Sequence, residues 1–575
     1  MPFLLSYIMN RIFLLSLLLI SGSVFAQPSE ADFLLLQKDY IWYADGSSDM
    51  HCRQVIRYNT HVSFNRLYGE TFIVFNPLGQ QLTINEAYTV QAGGNKVTTP
   101  PNAFNEVLPR FAAGAPAYHH LREMVVTHTG LELGATAYLD YTLHTNAGSL
   151  PELDQCLALQ EESPVKEYRI TVTVPDAKKL NYQLHGTKVN PAITKKDGTT
   201  RYEWTFKNVP ASSRESYQPE DRRNVSHLIF STWTSQQDAL QWLSSQMNTG
   251  DGKEIQAVFG KIAVKENDGT DPVYRLTNAY RYLTDNIAYT PIPAEYAGYR
   301  FRDASQVVKQ ACGTAGEKAA LLLAIAKDLG TDARPVAVYP SFVDGSAGSL
   351  HAIADIAVAV KAGENDFIIS PVQYSGKCLS VSRPNWRYVP MTENNAEIIA
   401  QNCNRLVMYM DIVANPQEIK TSGYSDTTIG DCDLAGEIVE DREKHKSGSL
   451  PVTGDDEYFG FTLLETPGGA NSWALPYLAS QRTTTLEIPY PVVETYSYTI
   501  WAQADFELMN REMTIEKKNV LGSVNIRIEK LALNYYKITR NLSLRKSIIT
   551  PAEYGDFMEL MSVWRNPNHR TVMFK

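Results

Sequence analysis

A cysteine lies just ahead of a predicted helix in the stretch "QACGTAGEKAALLLAIAKDLG", residues 310–330. Thr314 and Glu317 form a T-x-x-E pair before an apolar run, which predicts a capping box with Ala315 as the first helical residue. A thiolate nucleophile gains most from the partial positive charge of a helix N-terminus in the first turn. That position holds Ala315, whereas Cys312 lies two residues ahead of the N-cap and outside the helix.

The stretch "GTAGEKAALLLAIAKDLGTDARPVAVYP" resembles the core of bacterial transglutaminase-like proteins. Gly313 matches the glycine of that family, and Glu317 and Lys318 match its acid–lysine pair. Ala315 falls where the family has its cysteine nucleophile. The resemblance implies a papain/transglutaminase-like α+β core in which a cysteine, a histidine and an aspartate form the catalytic site.

The other two members of the implied site are sought further along the chain. "SLHAIADIAVAV" supplies His351 where the family has a histidine opening a strand, and "FIISPV" supplies Ser370 where it has an aspartate before a proline. Of the implied Cys-His-Asp site only the histidine therefore remains. A Cys-His pair needs a nucleophile within hydrogen-bond reach of a base that a third group orients. Alanine cannot attack, and serine stabilises an imidazolium less well than a carboxylate does.

Other residues are candidates to replace the missing members. Asp355 lies four residues after His351 on the same predicted strand, so at ~3.3 Å per residue it stands ~13 Å away, too far to orient the ring. Asp366 lies in the turn predicted before "FIIS". Cys312 is an alternative nucleophile if its loop folds back over the helix end; otherwise it is a buried apolar residue or half of a disulfide. His351 itself has a second interpretation as a hydrogen-bonded structural histidine.

Weaker signals surround these residues. Tyr299, Arg300 and Arg302 precede the helix and either face the degenerate site or form structural pairs. The acidic stretch "ENDGTD", residues 266–271, lacks the ligand spacing of a calcium loop and is interpreted as a polar turn. None of the cysteines forms a zinc-type cluster, so we expect no metal and no cofactor. The six cysteines are Cys52, Cys156, Cys312, Cys378, Cys403 and Cys432.

The elements around the helix divide the chain into three predicted regions. Runs such as "CRQVIRYNTHVSF", "ETFIVFNP" and "KEYRITVTVP" predict one or two antiparallel sandwich units over residues 27–235. Residues 236–388 combine the helical pattern "QQDALQWLSSQM", a helix from Pro272, the capped helix and three strands, which indicates an α+β unit. Strands return over residues 389–575, and "TPAE" at 550–553 predicts a capped final helix.

The flanking regions carry a resemblance of their own. "HLREMVVTHTGLELGATAYLDYTLHT" is similar to the β-sandwich domain of unknown function that precedes these cores in Bacteroidetes-type exported proteins. "GFTLLETPGGANSWALPYLASQRTTTLEIPYP" is similar to their C-terminal β domain. The resemblance implies a multidomain, mainly β fold with an N-terminal β-sandwich, a transglutaminase-like α+β core and a C-terminal β-sandwich.

The first 26 residues predict a signal peptide. Arg11 precedes an apolar run, and Val24 and Ala26 fit the −3 and −1 positions of a cleavage site, with Gln27 as the mature N-terminus. An uncleaved anchor is the less favoured alternative, because the run is shorter than the ~20 residues that a span needs. We therefore expect an exported protein, periplasmic or extracellular, with no membrane span after cleavage.

Composition narrows the function further. The formal net charge of −10 gives no basic footprint for nucleic acid. The favoured hypothesis is a degenerate, catalytically inactive transglutaminase-like protein that binds or scaffolds a peptide, protein or glycan in the cell envelope. The second is a cysteine-dependent peptidase or acyltransferase that uses Cys312 and His351, and the third is a purely structural envelope component. The ligand and the oligomeric state stay open.

Overall fold

The structure is a computed structural model. It describes residues 29–250, 252–262, 272–362, 365–372, 385–392, 397–398, 404–428, 444–455, 457–475, 478–503 and 506–575. The predicted signal peptide, the acidic stretch 266–271 and the cysteines Cys378, Cys403 and Cys432 lie outside the described residues.

The N-terminal region is almost entirely β. Its strands are β1 (Ala31–Trp42), β2 (Ser48–Tyr58), β3 (Glu70–Phe75), β4 (Gln80–Val90), β5 (Lys96–Thr98), β6 (Phe104–Val107), β7 (Arg122–Thr127), β8 (Thr136–Thr145), β9 (Asp154–Ala158), β10 (Val165–Pro175), β11 (Asn181–His185), β12 (Ala192–Lys196), β13 (Thr199–Val209) and β14 (His227–Ser231). They form a large sheet in the order β12-β13-β10-β1-β2-β8-β4-β5 and two smaller sheets, β11-β14-β9 and β3-β7-β6. All neighbours in the large sheet pair antiparallel except β1 and β10, which run parallel.

Alternation along these strands places one set of side chains in a shared core. Tyr168, Ile170 and Trp204 are among the fully buried members. One predicted strand ends early: "CRQVIRYNTHVSF" leaves the sheet after Tyr58, because Ser63 bonds back to Thr60 and residues Ser63–Leu67 form a π-helical turn.

The central region is the predicted α+β unit. Its helices are α1 (Gln236–Ser245), α2 (Lys253–Ile262), α3 (Pro272–Asn286), α4 (Ala304–Gln310) and α5 (Ala315–Asp328). Its strands are β15 (Ala288–Tyr289), β16 (Cys312–Gly313), β17 (Asp332–Pro340), β18 (Asp355–Ala362), β19 (Asn365–Ile369) and β20 (Trp386–Pro390). The helices predicted from 236 and from Pro272 are confirmed, whereas α2, the short α4 and the strands β15, β16 and β20 were not predicted.

Helix α5 is the centre of this unit. It packs against β17 and β18, and the antiparallel sheet runs in the order β19-β18-β17-β20. Leu321, Leu322 and Ile325 of α5 are fully buried. The same core includes Ile229 and Trp233 from the end of the N-terminal region, so the two regions share apolar packing. The boundary at residue 235 stays a prediction.

The C-terminal region is a second β unit. Its strands are β21 (Arg405–Ala414), β22 (Ile419–Thr428), β23 (Lys444–Leu450), β24 (Thr453–Gly454), β25 (Phe459–Thr462), β26 (Leu486–Glu487), β27 (Val492–Ala502), β28 (Met513–Asn519), β29 (Gly522–Ala532), β30 (Tyr535–Leu544), β31 (Ile548–Ile549) and β32 (Thr571–Phe574). The main sheet runs β23-β22-β21-β27-β30-β29-β28. The predicted capping box of Thr550 and Glu553 is confirmed; it opens a 3₁₀ turn that leads into helix α6 (Tyr554–Trp564).

Candidate functional site

The N-terminus of α5 forms one wall of a cavity of about 360 Å³. Thr314 is the N-cap, and its hydroxyl accepts a hydrogen bond from the Glu317 backbone N–H at 3.4 Å. The Glu317 carboxylate accepts in turn from the Thr314 N–H at 2.8 Å. The predicted capping box is thus confirmed, and Ala315 is the first helical residue. Ala315 lines the cavity together with Thr314 and Gly316.

Glu317 anchors this helix end to two other segments. It is fully buried, and its carboxylate accepts from the Arg302 guanidinium at 2.7 Å and from the Tyr118 hydroxyl at 2.6 Å. Burial alone would raise the pKa of Glu317, but the hydrogen bonds from Arg302, Tyr118 and Thr314 outweigh it and lower the pKa. Arg302 is therefore the structural partner of Glu317. This agrees with the second interpretation of the arginines, that they form structural pairs.

Lys318 is structural as well. Its side chain is buried, and Nζ donates to the backbone carbonyl of Ile287 at 2.5 Å and lies 3.4 Å from that of Leu283, at the end of α3. Burial lowers the pKa of Lys318 to about 8. The acid–lysine pair of the motif thus fastens α5 to its neighbours and does not line the cavity.

Cys312 lies behind the helix end. It belongs to β16, which pairs with β15, and its backbone carbonyl accepts from the Arg302 guanidinium at 3.1 Å. The residue is buried and its thiol is free, which contradicts the disulfide alternative. Cys312 is not among the residues that line the cavity. The loop therefore does not bring this thiol over the helix end.

His351 lines the same cavity as the helix end. Its Nε2 lies 3.9 Å from the Glu295 Oε1, and its Nδ1 is buried with no hydrogen-bond partner in the described part of the chain. The histidine sits in a turn, four residues before β18 begins at Asp355. The assumption that both residues share one strand was wrong, so the expected separation of ~13 Å does not apply. Both line the same cavity.

Ser370 directly follows β19, which confirms its predicted place at the end of the strand after β18. It is buried, and its hydroxyl donates to the Asp355 carboxylate at 3.1 Å. Its backbone carbonyl accepts from the Tyr280 hydroxyl at 2.8 Å. Ser370 thus bonds to Asp355 and does not line the cavity. Asp366, expected in a turn, lies within β19 opposite Lys361.

Tyr299 completes the polar part of the cavity wall. Its side chain is 5% exposed, and its hydroxyl finds no partner in the described part of the chain. Arg300, next in sequence, turns away and donates to the Gly148 carbonyl at 2.9 Å. Of the three residues singled out before the helix, therefore, only Tyr299 faces the site. The remaining lining residues are Glu295, Tyr289 and a set of apolar residues: Leu243, Ile292, Pro293, Ala294, Phe301, Leu350, Ile353, Ala354 and Ile356.

Two features of the site were missed by sequence reasoning. Glu295, beside His351, stands in an irregular segment, where no periodicity marks it. Asp154, which contacts the segment that carries His351, comes from the N-terminal region nearly two hundred residues away. Within the described residues, no group of three or more His, Cys, Asp or Glu side chains could hold a metal ion. No helix of the described chain is long and apolar enough to cross a membrane.

Three family models match the chain in order. Residues 44–213 match the domain of unknown function DUF3857, residues 261–365 the transglutaminase-like superfamily, and residues 462–574 the domain of unknown function DUF3858. The chain is also similar to the crystal structure of a candidate protease from Parabacteroides distasonis ATCC 8503. The identity is 31%, the TM-score is 0.78, and the match covers 95% of this chain and 99% of that one. A search of curated proteins found no match.

Proposed function

The chain belongs to the transglutaminase-like superfamily, and from this membership we propose that it keeps the fold of these proteins as a non-catalytic binding protein. The observation that carries the proposal is Ala315, which lines the cavity at the first position of α5. A methyl group there cannot attack a substrate carbonyl. The helix end, which would favour a thiolate at this position, has no thiol to act on.

The proposed ligand is a peptide segment of a protein partner. A cavity of about 360 Å³ whose walls are polar and apolar in equal measure has the size of a small-ligand site, and its polar groups could orient a peptide. The side chains of His351 and Glu295, 27% and 31% exposed, line the cavity and could bond to a peptide backbone. The similar protein from Parabacteroides distasonis is named as a candidate protease, which supports a peptide over a glycan. The cell envelope is the proposed location, on the strength of the N-terminal sequence alone.

Binding can be tested on the purified mature protein with a fluorescent octapeptide library and, in parallel, a set of oligosaccharides. We expect the protein to bind a subset of the peptides without cleaving them. Ala315→Leu, which fills the cavity, should weaken that binding at least about tenfold, a loss of about 1.4 kcal/mol. The matched control is Lys327→Leu, an exposed position in the last turn of the same helix. Turnover of peptides by the unmodified protein, or binding of oligosaccharides alone, would overturn the proposal.

A cysteine-dependent peptidase or acyltransferase is the second candidate. Its support is the free thiol of Cys312 and the name of the similar protein. This candidate requires the Cys312 thiol to approach the His351 ring, because a nucleophile must lie within hydrogen-bond reach of its base. Labelling of the Cys312 thiol with iodoacetamide between pH 5 and 9 tests this requirement. Rapid labelling of Cys312 at low pH, lost in His351→Ala, would favour the enzyme; slow labelling that is indifferent to His351→Ala would exclude it.

A further inference from the structure

The segment that joins β17 to β18, residues 341–354, carries His351 to the cavity, and the N-terminal region holds much of it in place. Gln183 of β11 donates to the Phe342 carbonyl at 2.5 Å and accepts from the Asp344 N–H at 3.0 Å. Ser231 of β14, fully buried, donates to the Ala347 carbonyl. The shape of this segment is therefore set by strands of another region as well as by its own.

Asp154, the first residue of β9, makes the contact nearest to the histidine. One carboxylate oxygen accepts from the Ser349 hydroxyl, and the other accepts from the Leu350 N–H at 2.6 Å. Two consecutive residues directly before His351, Ser349 and Leu350, thus converge on one side chain.

The carboxylate is buried, with 7% of the residue exposed. Burial raises the pKa of Asp154, and the hydrogen bonds and His351 act against that rise. Burying a carboxylate is unfavourable unless hydrogen bonds and an opposite charge offset the lost hydration. A side chain that only filled space between two sheets would be apolar. The arrangement of donors around Asp154 indicates that this carboxylate orders the segment.

We propose that Asp154 is a positioning residue for His351, so that the candidate site is completed across the boundary between the N-terminal and central regions. The inference rests on the proposed function in one respect, that the cavity is the binding site. The geometry of segment 341–354 does not depend on the proposed function. The carboxylate would fix the backbone of Ser349 to His351 and thereby the direction in which the imidazole enters the cavity.

The test uses the full mature chain and two readouts that need no ligand. Hydrogen exchange measures the backbone amides of Leu350 and His351, and the NMR signal of ¹³C-labelled histidine measures the His351 ring, assigned by its loss in His351→Gln. Asp154→Ala should speed exchange of the Leu350 amide about tenfold or more, since a hydrogen bond to a charged group is lost. It should also move the ring signal. Asp154→Asn, which retains an acceptor but no charge, should give a smaller exchange effect and still move the ring signal.

Asp176→Asn is the matched control, because that carboxylate accepts from Thr200 in the same N-terminal region at 2.6 Å and lies outside the cavity wall. It should leave both readouts unchanged. If Asp154→Ala does not fold, Asp154→Asn decides. An unchanged ring signal and unchanged Leu350 exchange in Asp154→Asn would overturn the inference, as would equal changes in the Asp176 control. Changes in both readouts that leave peptide binding unaffected would uphold the inference and count against the proposed function instead.

Discussion

At the scale of single residues, Ala315 decides what the site can do. It is the first residue of α5, and it lines the cavity together with His351. Two backbone N–H groups of this first turn, those of Ala315 and Gly316, are among the amides that α5 cannot satisfy within itself. Only glycine fits at position 316, because a Cβ there would stand 2.3 Å from the Phe301 ring. The helix end therefore presents polarised donors beside a methyl group, at the position where a thiolate would gain most from the helix.

Ala315→Cys should restore a reactive thiol. Because the helix N-terminus stabilises the thiolate, we expect the pKa of the new thiol to fall below the usual value of about 8.5. The pH dependence of iodoacetamide labelling, followed at the modified peptide by mass spectrometry, measures it. Lys327→Cys, in the last turn of the same helix, is the control and should show no lowering. Equal pKa values for the two thiols would contradict the assignment of position 315, and slower labelling after His351→Ala would show that the imidazole assists.

Some residues of the candidate site could be predicted from the sequence, and others could not. Thr314, Glu317 and Ala315 were predictable because a capping box is local, spanning one helical turn. Ser370 was placed correctly because the strand before it is a short apolar run with a proline just beyond. Asp154 and Glu295 were out of reach, since their contacts with the His351 segment arise only from tertiary packing, and nothing in their own neighbourhoods marks them.

At the scale of elements, α5 is fixed by buried polar contacts as much as by its apolar face. Glu317 joins α5 to the segment before α4 through Arg302 and to the N-terminal region through Tyr118. The turn that carries His351 was expected to be part of a strand, but there the Leu350 N–H donates to the Asp154 carboxylate and not to a neighbouring strand. Hydrophobic periodicity predicted which helices and strands form. Contacts between side chains of different regions influence where such an element begins or ends.

Glu317→Ala should strongly destabilise the central region. It leaves the Arg302 guanidinium, 15% exposed, without its carboxylate, and breaking a buried pair by removing one partner costs about 3–5 kcal/mol. Urea denaturation followed by tryptophan fluorescence measures the loss in free energy of unfolding. Glu559→Gln is the control: it removes the carboxylate of an ion pair with Lys517 in which both side chains are 46% exposed, and it should have little effect. Similar losses for the two variants would show that the Glu317 contacts do not stabilise the helix.

At the scale of the whole molecule, a connecting segment of the N-terminal region contacts both of the others. Arg223 and Asp221 both bond to Ser341, at the start of the segment that carries His351. A few residues earlier, the Tyr217 carbonyl accepts from the Glu487 N–H of the C-terminal region at 2.9 Å. Together with Asp154, these contacts tie all three regions around the candidate site. The sequence predicted three regions in order, but their mutual contacts join residues far apart in the chain, which no local pattern can show.

The contact that Glu215 makes between the N-terminal and C-terminal regions stabilises the fold to an extent that depends on pH. Its carboxylate accepts from the backbone N–H of Thr483 and of Thr484, each at 2.8 Å, and from both hydroxyls. Desolvation acts to raise the pKa of Glu215, but these hydrogen bonds prevail and lower it to about 2. Because the pKa is lower in the folded than in the unfolded chain, the stabilisation is complete above the unfolded value of 4.5 and is lost as the pH falls toward 2.

Glu215→Gln should therefore lower the melting temperature at pH 7, and the difference from the unmodified protein should shrink steadily between pH 5 and pH 3, as scanning calorimetry can measure. Thr484→Val, which removes one of the hydroxyl donors, should lower the melting temperature less and show a weaker version of the same trend. Glu132→Gln is the control, since that carboxylate accepts from the Ala92 N–H within the N-terminal region alone. A melting-temperature difference for Glu215→Gln that stays constant down to pH 3 would mean that this carboxylate does not hold the terminal regions together through its charge.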